Sequence, residues 1–214
     1  MANHTIKVML VDDHAVVRMG FKLLLEGTQD IKVVGEANTG EEALRLYPEL
    51  RPDIVVMDIA MPGIGGLEAV TRLLAKDTSA KVLVLSAHED ASHPKRMLKA
   101  GAAGYLSKRT AAEELIQAIR RVASGQTYLD SRLAQQMAVQ QLTGGENPVE
   151  VLSDREFEVF MLLAKGQSVA QIAEKLFLSP RTVGTHLYNI KQKLNASNSA
   201  ELTLIALRNG LIED

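Results

Sequence analysis

Five short apolar runs, residues 7–11, 33–36, 54–57, 82–85 and 104–106, punctuate the first half of the chain. Each is apolar nearly throughout rather than at every second position, as expected of strands covered on both faces. Between them apolar residues recur at helical spacing: Val17, Phe21 and Leu24 early on, and Leu115, Ala118, Ile119 and Val122 late. This alternation predicts a doubly wound parallel α/β sheet of five strands over residues 5–124. Turn signals fit the connections, with Arg51-Pro52-Asp53 before the third run and Met61-Pro62-Gly63 and Gly65-Gly66 after it. Past residue 150 the strand rhythm stops and short helical patterns replace it. Residues 125–150 read as a linker, with a helical stretch at 131–142 and then the joint Thr143-Gly144-Gly145-Glu146-Asn147-Pro148. A small all-α domain is therefore expected over residues 151–214.

Composition narrows the class. Of 214 residues, 46% are hydrophobic and 23% charged, an ordinary globular balance. The net charge of −2 carries no global signature of nucleic-acid binding, so any basic patch must be local. With no cysteine, disulfide and thiolate chemistry are excluded. The first residues lack the charged and apolar regions of a signal peptide, and no apolar run approaches the roughly 18 residues of a membrane span. The expectation is a soluble, cytoplasmic protein without membrane contact.

The strand ends carry the candidate chemistry. Asp12 and Asp13 follow the first run, Asp58 the third and Ser86 the fourth, and Lys108 lies just beyond the fifth. In a parallel sheet such groups face one crevice, where ligands bind. Adjacent carboxylates repel unless a cation lies between them, and Mg²⁺ suits oxygen ligands. Asp58 can then act as a nucleophile toward a phosphoryl donor, with Lys108 neutralising charge on the phosphoryl oxygens. Any one of these aspartates could simply cap a helix; it is the full set that argues for a site.

Asp12-Asp13, Asp58 within Val56-Met57-Asp58-Ile59-Ala60-Met61-Pro62-Gly63, Ser86, Tyr105 and Lys108 together resemble the receiver domain of two-component response regulators. The resemblance implies a flavodoxin-like fold with Asp58 as phosphoacceptor. It implies Mg²⁺ ligated by Asp13, Asp58 and the Ala60 backbone carbonyl, with Asp12 helping through water. It also implies that Lys108 contacts the phosphoryl group and that Ser86 and Tyr105 form a switch. Ser86 would donate to a phosphoryl oxygen and draw its loop inward, opening room for the Tyr105 ring. Arg109 stands where many receivers carry proline.

In the second domain Ser153 followed by Glu156 marks a capping box, and Ser179-Pro180 starts a helix with proline in its first turn. Two short helices joined by a tight turn read as a helix-turn-helix. Val183, Leu187, Ile190 and Leu194 form one apolar stripe of the later helix. The opposite side carries Arg181, Thr185, Tyr188, Asn189 and Gln192, flanked by Lys191 and Lys193, with Thr182 a further candidate DNA contact, and residues 179–194 contain no acid. Such a face suits phosphate positioning and base-edge contact in a major groove. In the last helix Leu202, Ile205 and Ala206 form one apolar face and Leu204, Leu207 and Leu211 another. The second is a candidate dimer contact.

The stretches 152–156, 172–176 and 179–194 resemble the LuxR-type helix-turn-helix, and a receiver followed by it resembles the NarL/FixJ family; residues 61–69 and 200–208 look most like its GacA/UvrY-like branch. That resemblance implies a regulator phosphorylated by a sensor histidine kinase, which dimerises, binds double-stranded DNA and meets RNA polymerase. It implies no enzyme beyond self-phosphorylation from a phosphodonor and slow autodephosphorylation. Gly184 and Val169-Ala170-Gln171 depart from frequent residues of that family, so no target sequence is implied. Two other classes remain in view. A haloacid-dehalogenase-like phosphatase would need an acid two residues after the nucleophile, where this chain has Ala60. A protein-binding helix-turn-helix is disfavoured by the basic face.

Overall fold

In the computed structural model, which describes residues 5–86, 92–132, 134–135, 137–138, 148–209 and 211–212, the apolar runs pair as parallel strands. The strands are β1 (Ile6–Val11), β2 (Ile31–Ala37), β3 (Ile54–Asp58), β4 (Val82–Ser86), β5 (Gly104–Ser107) and β6 (Tyr128–Leu129). Between them run helices α1 (Ala15–Glu26), α2 (Gly40–Leu50), α3 (Gly65–Lys76), α4 (Ser92–Lys99) and α5 (Ala111–Ala123). The strand order is β2-β1-β3-β4-β5-β6. From β1 the chain steps outward to β2 and then crosses back to β3, so the order reverses between β1 and β3. A crevice at the carboxyl ends opens at that switch point.

Alternate side chains of each strand feed two core layers. Met9, Val11, Val55, Met57, Val84 and Tyr105 pack with Leu67, Val70, Leu73 and Met97 of α3 and α4. Val8, Leu10, Ile54, Val56, Leu85 and Leu106 pack with Leu25 of α1 and Leu115, Ile119 and Val122 of α5. The expected α5 stripe is buried as read. In α1 the fully buried residue is Leu25, while Phe21 and Leu24 only lean against the layer.

The sixth strand corrects the five-strand expectation, and it falls within residues 125–150. Gly125 takes φ +83°, a conformation glycine adopts without strain, and returns the chain to the sheet edge. Tyr128 then pairs with Gly104 and Leu129 with Tyr105. The Tyr128 ring is buried beneath Arg121, whose guanidinium carbon lies 5.8 Å from the ring centroid, and its hydroxyl bonds to Glu114. A two-residue ladder leaves too short an apolar run to read in sequence. The described residues at 131–132, 134–135 and 137–138 are helical; the rest of the expected 131–142 helix, and 143–147 of the joint, lie outside the described residues.

The chain divides into two compact units, the first ending at Gln135. The second is all helix among its described residues: a 3₁₀ turn (Pro148–Val151), α6 (Asp154–Ala164), α7 (Val169–Lys175), α8 (Pro180–Leu194) and α9 (Ser199–Arg208). The Ser153 capping box is formed, with Ser153 N–H donating to Glu156 and Glu156 N–H to Ser153 Oγ. Phe157, Phe160, Ile172, Val183, Ile190, Leu202 and Ala206 form the core of this unit. No helix among the described residues is long and apolar enough to cross a membrane.

Candidate functional site: an acidic crevice and a polar helix

Strand register brings the chemistry together. Val11 sits beside Met57, Asp58 beside Leu85 and Ser86 beside Ser107, so Asp12, Asp58, Ser86 and Lys108 fall in one row at the carboxyl edge. The Lys108 ammonium lies 2.7 Å from Asp12 Oδ2 and 2.8 Å from Asp58 Oδ2, bridging the two. Asp12, Asp58 and Ser86 are buried. Burial pushes the Asp58 carboxyl above the ordinary carboxylate range; Lys108 draws it back and the charge of Asp12 adds to the rise. Burial pulls the Lys108 ammonium down, but the two carboxylates outweigh it and hold its pKa above the ordinary value.

Asp12, Asp13, His14 and Asp58 each offer a ligand atom, all within 4.8 Å of one another. Three of the four are carboxylates, and a compact set of hard oxygens fits Mg²⁺. His14 is a member the sequence reading missed. Its Nδ1 approaches Asp13 Oδ1 at 2.8 Å, and its backbone N–H donates to Asp12 Oδ1. Its adjacency to Asp13 was the available signal. Arg18 was missed too: it donates to the Asp12 backbone carbonyl at 2.6 Å and reaches Glu36.

The loop after Asp58 is shaped by close packing. Ala60 N–H donates to Asp58 Oδ1 and Gly66 N–H to the Ile59 carbonyl. A Cβ on Gly66 would stand 1.9 Å from the Asp58 carbonyl oxygen. So α3 begins directly against the backbone of Asp58, and only glycine fits there. Tyr105 is fully buried in the layer formed with α3 and α4, one strand from Ser86. The loop at 87–91, next to Ser86, lies outside the described residues.

An exposed apolar face lies on α1, which begins two residues after Asp13. Val16, Met19 and Leu23 of α1 are 84%, 63% and 68% exposed. With Gly20 they follow the i, i+3, i+4, i+7 spacing of one helix face. An added Cβ on Gly20 would meet nothing within 4 Å.

On α8 the apolar stripe turns inward as read, with Val183 and Ile190 buried and Leu187 and Leu194 packed against the core. Arg181, Thr185, Tyr188 and Gln192 are exposed, and Thr182, Asn189 and Lys191 half-buried. Thr182 N–H donates to Ser179 Oγ, which caps the helix, and the two hydroxyls are 2.7 Å apart. The Thr185 hydroxyl donates to the Arg181 carbonyl. The Lys193 ammonium lies 2.6 Å from the buried Glu156 carboxylate. Leu211 requires a correction. Helix α9 stops at Arg208, and Leu211 N–H donates back to the Ala206 carbonyl. Leu211 is thereby buried in the core, leaving Leu204 exposed and Leu207 half-buried on the candidate dimer face.

Comparison with known proteins matches each half of the chain to a family. Residues 8–120 match the response regulator receiver domain and residues 150–206 the luxR family of bacterial regulatory proteins. The response regulator GacA of Pseudomonas aeruginosa is 43% identical over 210 residues, covering 97% of this chain and 98% of GacA. UvrY of Escherichia coli is 45% identical over 208 residues, 96% of this chain and 95% of UvrY. In fold, the chain is similar to RcsB of Salmonella enterica bound to promoter DNA, with a TM-score of 0.68 at 24% identity over 94% of this chain and 98% of RcsB. The chain thus belongs to the two-component response regulators that join a receiver domain to a LuxR-type DNA-binding domain and regulate transcription.

Proposed function

We propose that Asp58 accepts a phosphoryl group from a sensor histidine kinase, and that this modification controls dimerisation and sequence-specific DNA binding in the cytoplasm. The observation that carries the reading is the Lys108 ammonium bridging Asp12 and Asp58 inside a buried crevice. An Asp58 carboxylate oxygen bonds to phosphorus as the phosphorus–nitrogen bond to the donor imidazole breaks, and the imidazole keeps the electron pair. Lys108 then turns from the carboxylates to the phosphoryl oxygens. Asp12, Asp13, Asp58 and the Ala60 carbonyl would hold Mg²⁺. Bound there, the ion supplies neutralising charge for the phosphoryl group. Ser86 donates to a phosphoryl oxygen and, with Tyr105 beside it, forms the switch. The chain acts as a phosphoryl acceptor with slow self-hydrolysis rather than as a turnover enzyme.

The donor must reach the carboxyl edge of the sheet. The exposed Val16–Met19–Gly20–Leu23 face on α1 begins next to Asp12-Asp13 and gives the kinase an apolar surface there. At the other end of the chain, the exposed α8 residues Arg181, Thr185, Tyr188 and Gln192 enter the major groove of double-stranded DNA. That RcsB is seen on promoter DNA supports this use of the fold. RNA polymerase is the expected further partner of such a regulator.

Acetyl phosphate with Mg²⁺ should tighten binding of the full chain to a duplex selected from a random pool, and should leave Asp58→Asn unaffected. Equal tightening in Asp58→Asn would move the phosphoacceptor elsewhere. Leu204→Asp should weaken the dimer on DNA, because a carboxylate buried without a partner is costly. Sedimentation of the phosphorylated variant on DNA showing an unchanged dimer would remove α9 from the interface.

A further inference from the structure

Two consecutive residues at the start of α6 reach opposite ends of the helix-turn-helix. Arg155 donates through Nη2 to the carbonyl of Leu176, 2.9 Å away, at the end of α7 where the turn begins. Glu156 faces the last turn of α8. One of its carboxylate oxygens accepts from Ser153 N–H at 2.8 Å and from the Lys193 ammonium at 2.6 Å. Its side chain is only 6% exposed, against 40% for Lys193. Burial alone would raise the Glu156 carboxyl, but Lys193 and Ser153 overcome it and hold the group ionised below its usual range. A buried carboxylate of this kind is strongly unfavourable once its cation is removed. The Lys193 ammonium therefore has a fixed place, on the side of α8 that meets α6.

We propose that Lys193 is a positioning residue in DNA recognition rather than a phosphate contact, and that Arg155 and Glu156 together clamp α7 and α8 so that the exposed face of α8 meets the groove in one register. Arg155 fixes the end of α7 before the turn, and Glu156, through Lys193, fixes the far end of the recognition helix. Between these points the core residues Val183 and Ile190 hold α8 by apolar packing. The polar ties add direction, since a charge-assisted hydrogen bond is short and favours aligned donor and acceptor. The inference rests on α8 as the groove-facing helix.

A phosphate contact and a positioning residue give opposite signatures. Loss of a phosphate contact weakens specific and random DNA alike and lowers the salt slope by about one unit. Loss of a positioning residue misplaces base-reading side chains without changing the number of phosphates neutralised. The test is an anisotropy titration of the full phosphorylated chain at several salt concentrations. It compares a duplex selected from a random pool by the wild type with a scrambled duplex of equal length.

Lys193→Met keeps the apolar stem and removes the ammonium. Its specific-to-random ratio should fall about tenfold, the scale of one lost base contact, with the wild-type salt slope retained. Lys193→Arg should restore part of that ratio, and Glu156→Gln should lower it. Should either Lys193→Met or Glu156→Gln fail to fold, as judged by circular dichroism, the folded one decides by the same two readouts. The proposal is overturned if Lys193→Met lowers the salt slope by about one unit with the ratio unchanged, or changes neither quantity. Arg181→Ala and Tyr188→Ala serve as controls. If neither alters slope or ratio, the groove-facing assignment of α8 fails instead, which separates the two outcomes.

Discussion

Gly66→Ala should all but abolish phosphorylation of the receiver domain while changing one methyl group. The new Cβ would lie 1.9 Å from the Asp58 carbonyl oxygen and 2.6 Å from the Ile59 Cα, both backbone atoms with no rotamer to yield. Either α3 moves away or the Asp58 loop is displaced. Overpacking of this kind typically costs about 1–3 kcal/mol. The functional loss should be larger than the stability loss suggests, because a shift near 1 Å at a reacting group can lower a rate on the order of 10²-fold. The rate of labelling by acetyl phosphate, read by intact mass alongside a thermal melt, checks both. A folded Gly66→Ala protein labelled at the wild-type rate would mean that the start of α3 does not fix Asp58.

Lys108→Met should separate two properties that are usually lost together. Its ammonium contacts Asp12 and Asp58 at once. During transfer the same charge is needed at the phosphoryl oxygens. Removing one such preorganised donor commonly lowers a rate on the order of 10²–10³-fold. Cation binding should move the other way. Without Lys108, Asp12 and Asp58 face each other with no cation between them, so a divalent ion gains a more negative site. Calorimetric titration with Mg²⁺ should therefore show tighter binding in Lys108→Met, together with slower labelling. Weaker Mg²⁺ binding in a folded variant would show that Lys108 organises the carboxylates instead of competing for them. Asp58→Asn should fold at least as stably as the metal-free wild type. Burial raises the Asp58 carboxyl, so its ionised form is disfavoured by folding above the ordinary carboxylate pKa, and the neutral isostere lacks that penalty.

Why the crevice could be read from sequence is a matter of sheet geometry. In a parallel sheet, chain direction alone decides which strand ends share an edge, so Asp12, Asp58, Ser86 and Lys108 had to converge once the runs were taken as strands. The side-chain periodicity of α8 likewise placed Val183 and Ile190 inward. Where the reading fell short, the missing information was longer in range. A helical projection extends Leu211 along α9, but the helix stops at Arg208 and the chain folds back into the core. The two-residue strand β6 has no pattern of its own and exists because the edge of β5 is there to pair with it. The exposed face of α1 was hidden by the neighbouring Val17–Phe21–Leu24 stripe, which drew attention to the buried side. Gly66 read as a turn residue, and only packing reveals that it abuts the Asp58 backbone.

The most direct test is intact-mass and peptide mapping of the full chain after incubation with acetyl phosphate and Mg²⁺. The account predicts addition of one phosphoryl group, mapped to Asp58, and none in Asp58→Asn. Labelling that persists in Asp58→Asn, or maps to Asp12 or Asp13 in the wild type, would contradict it.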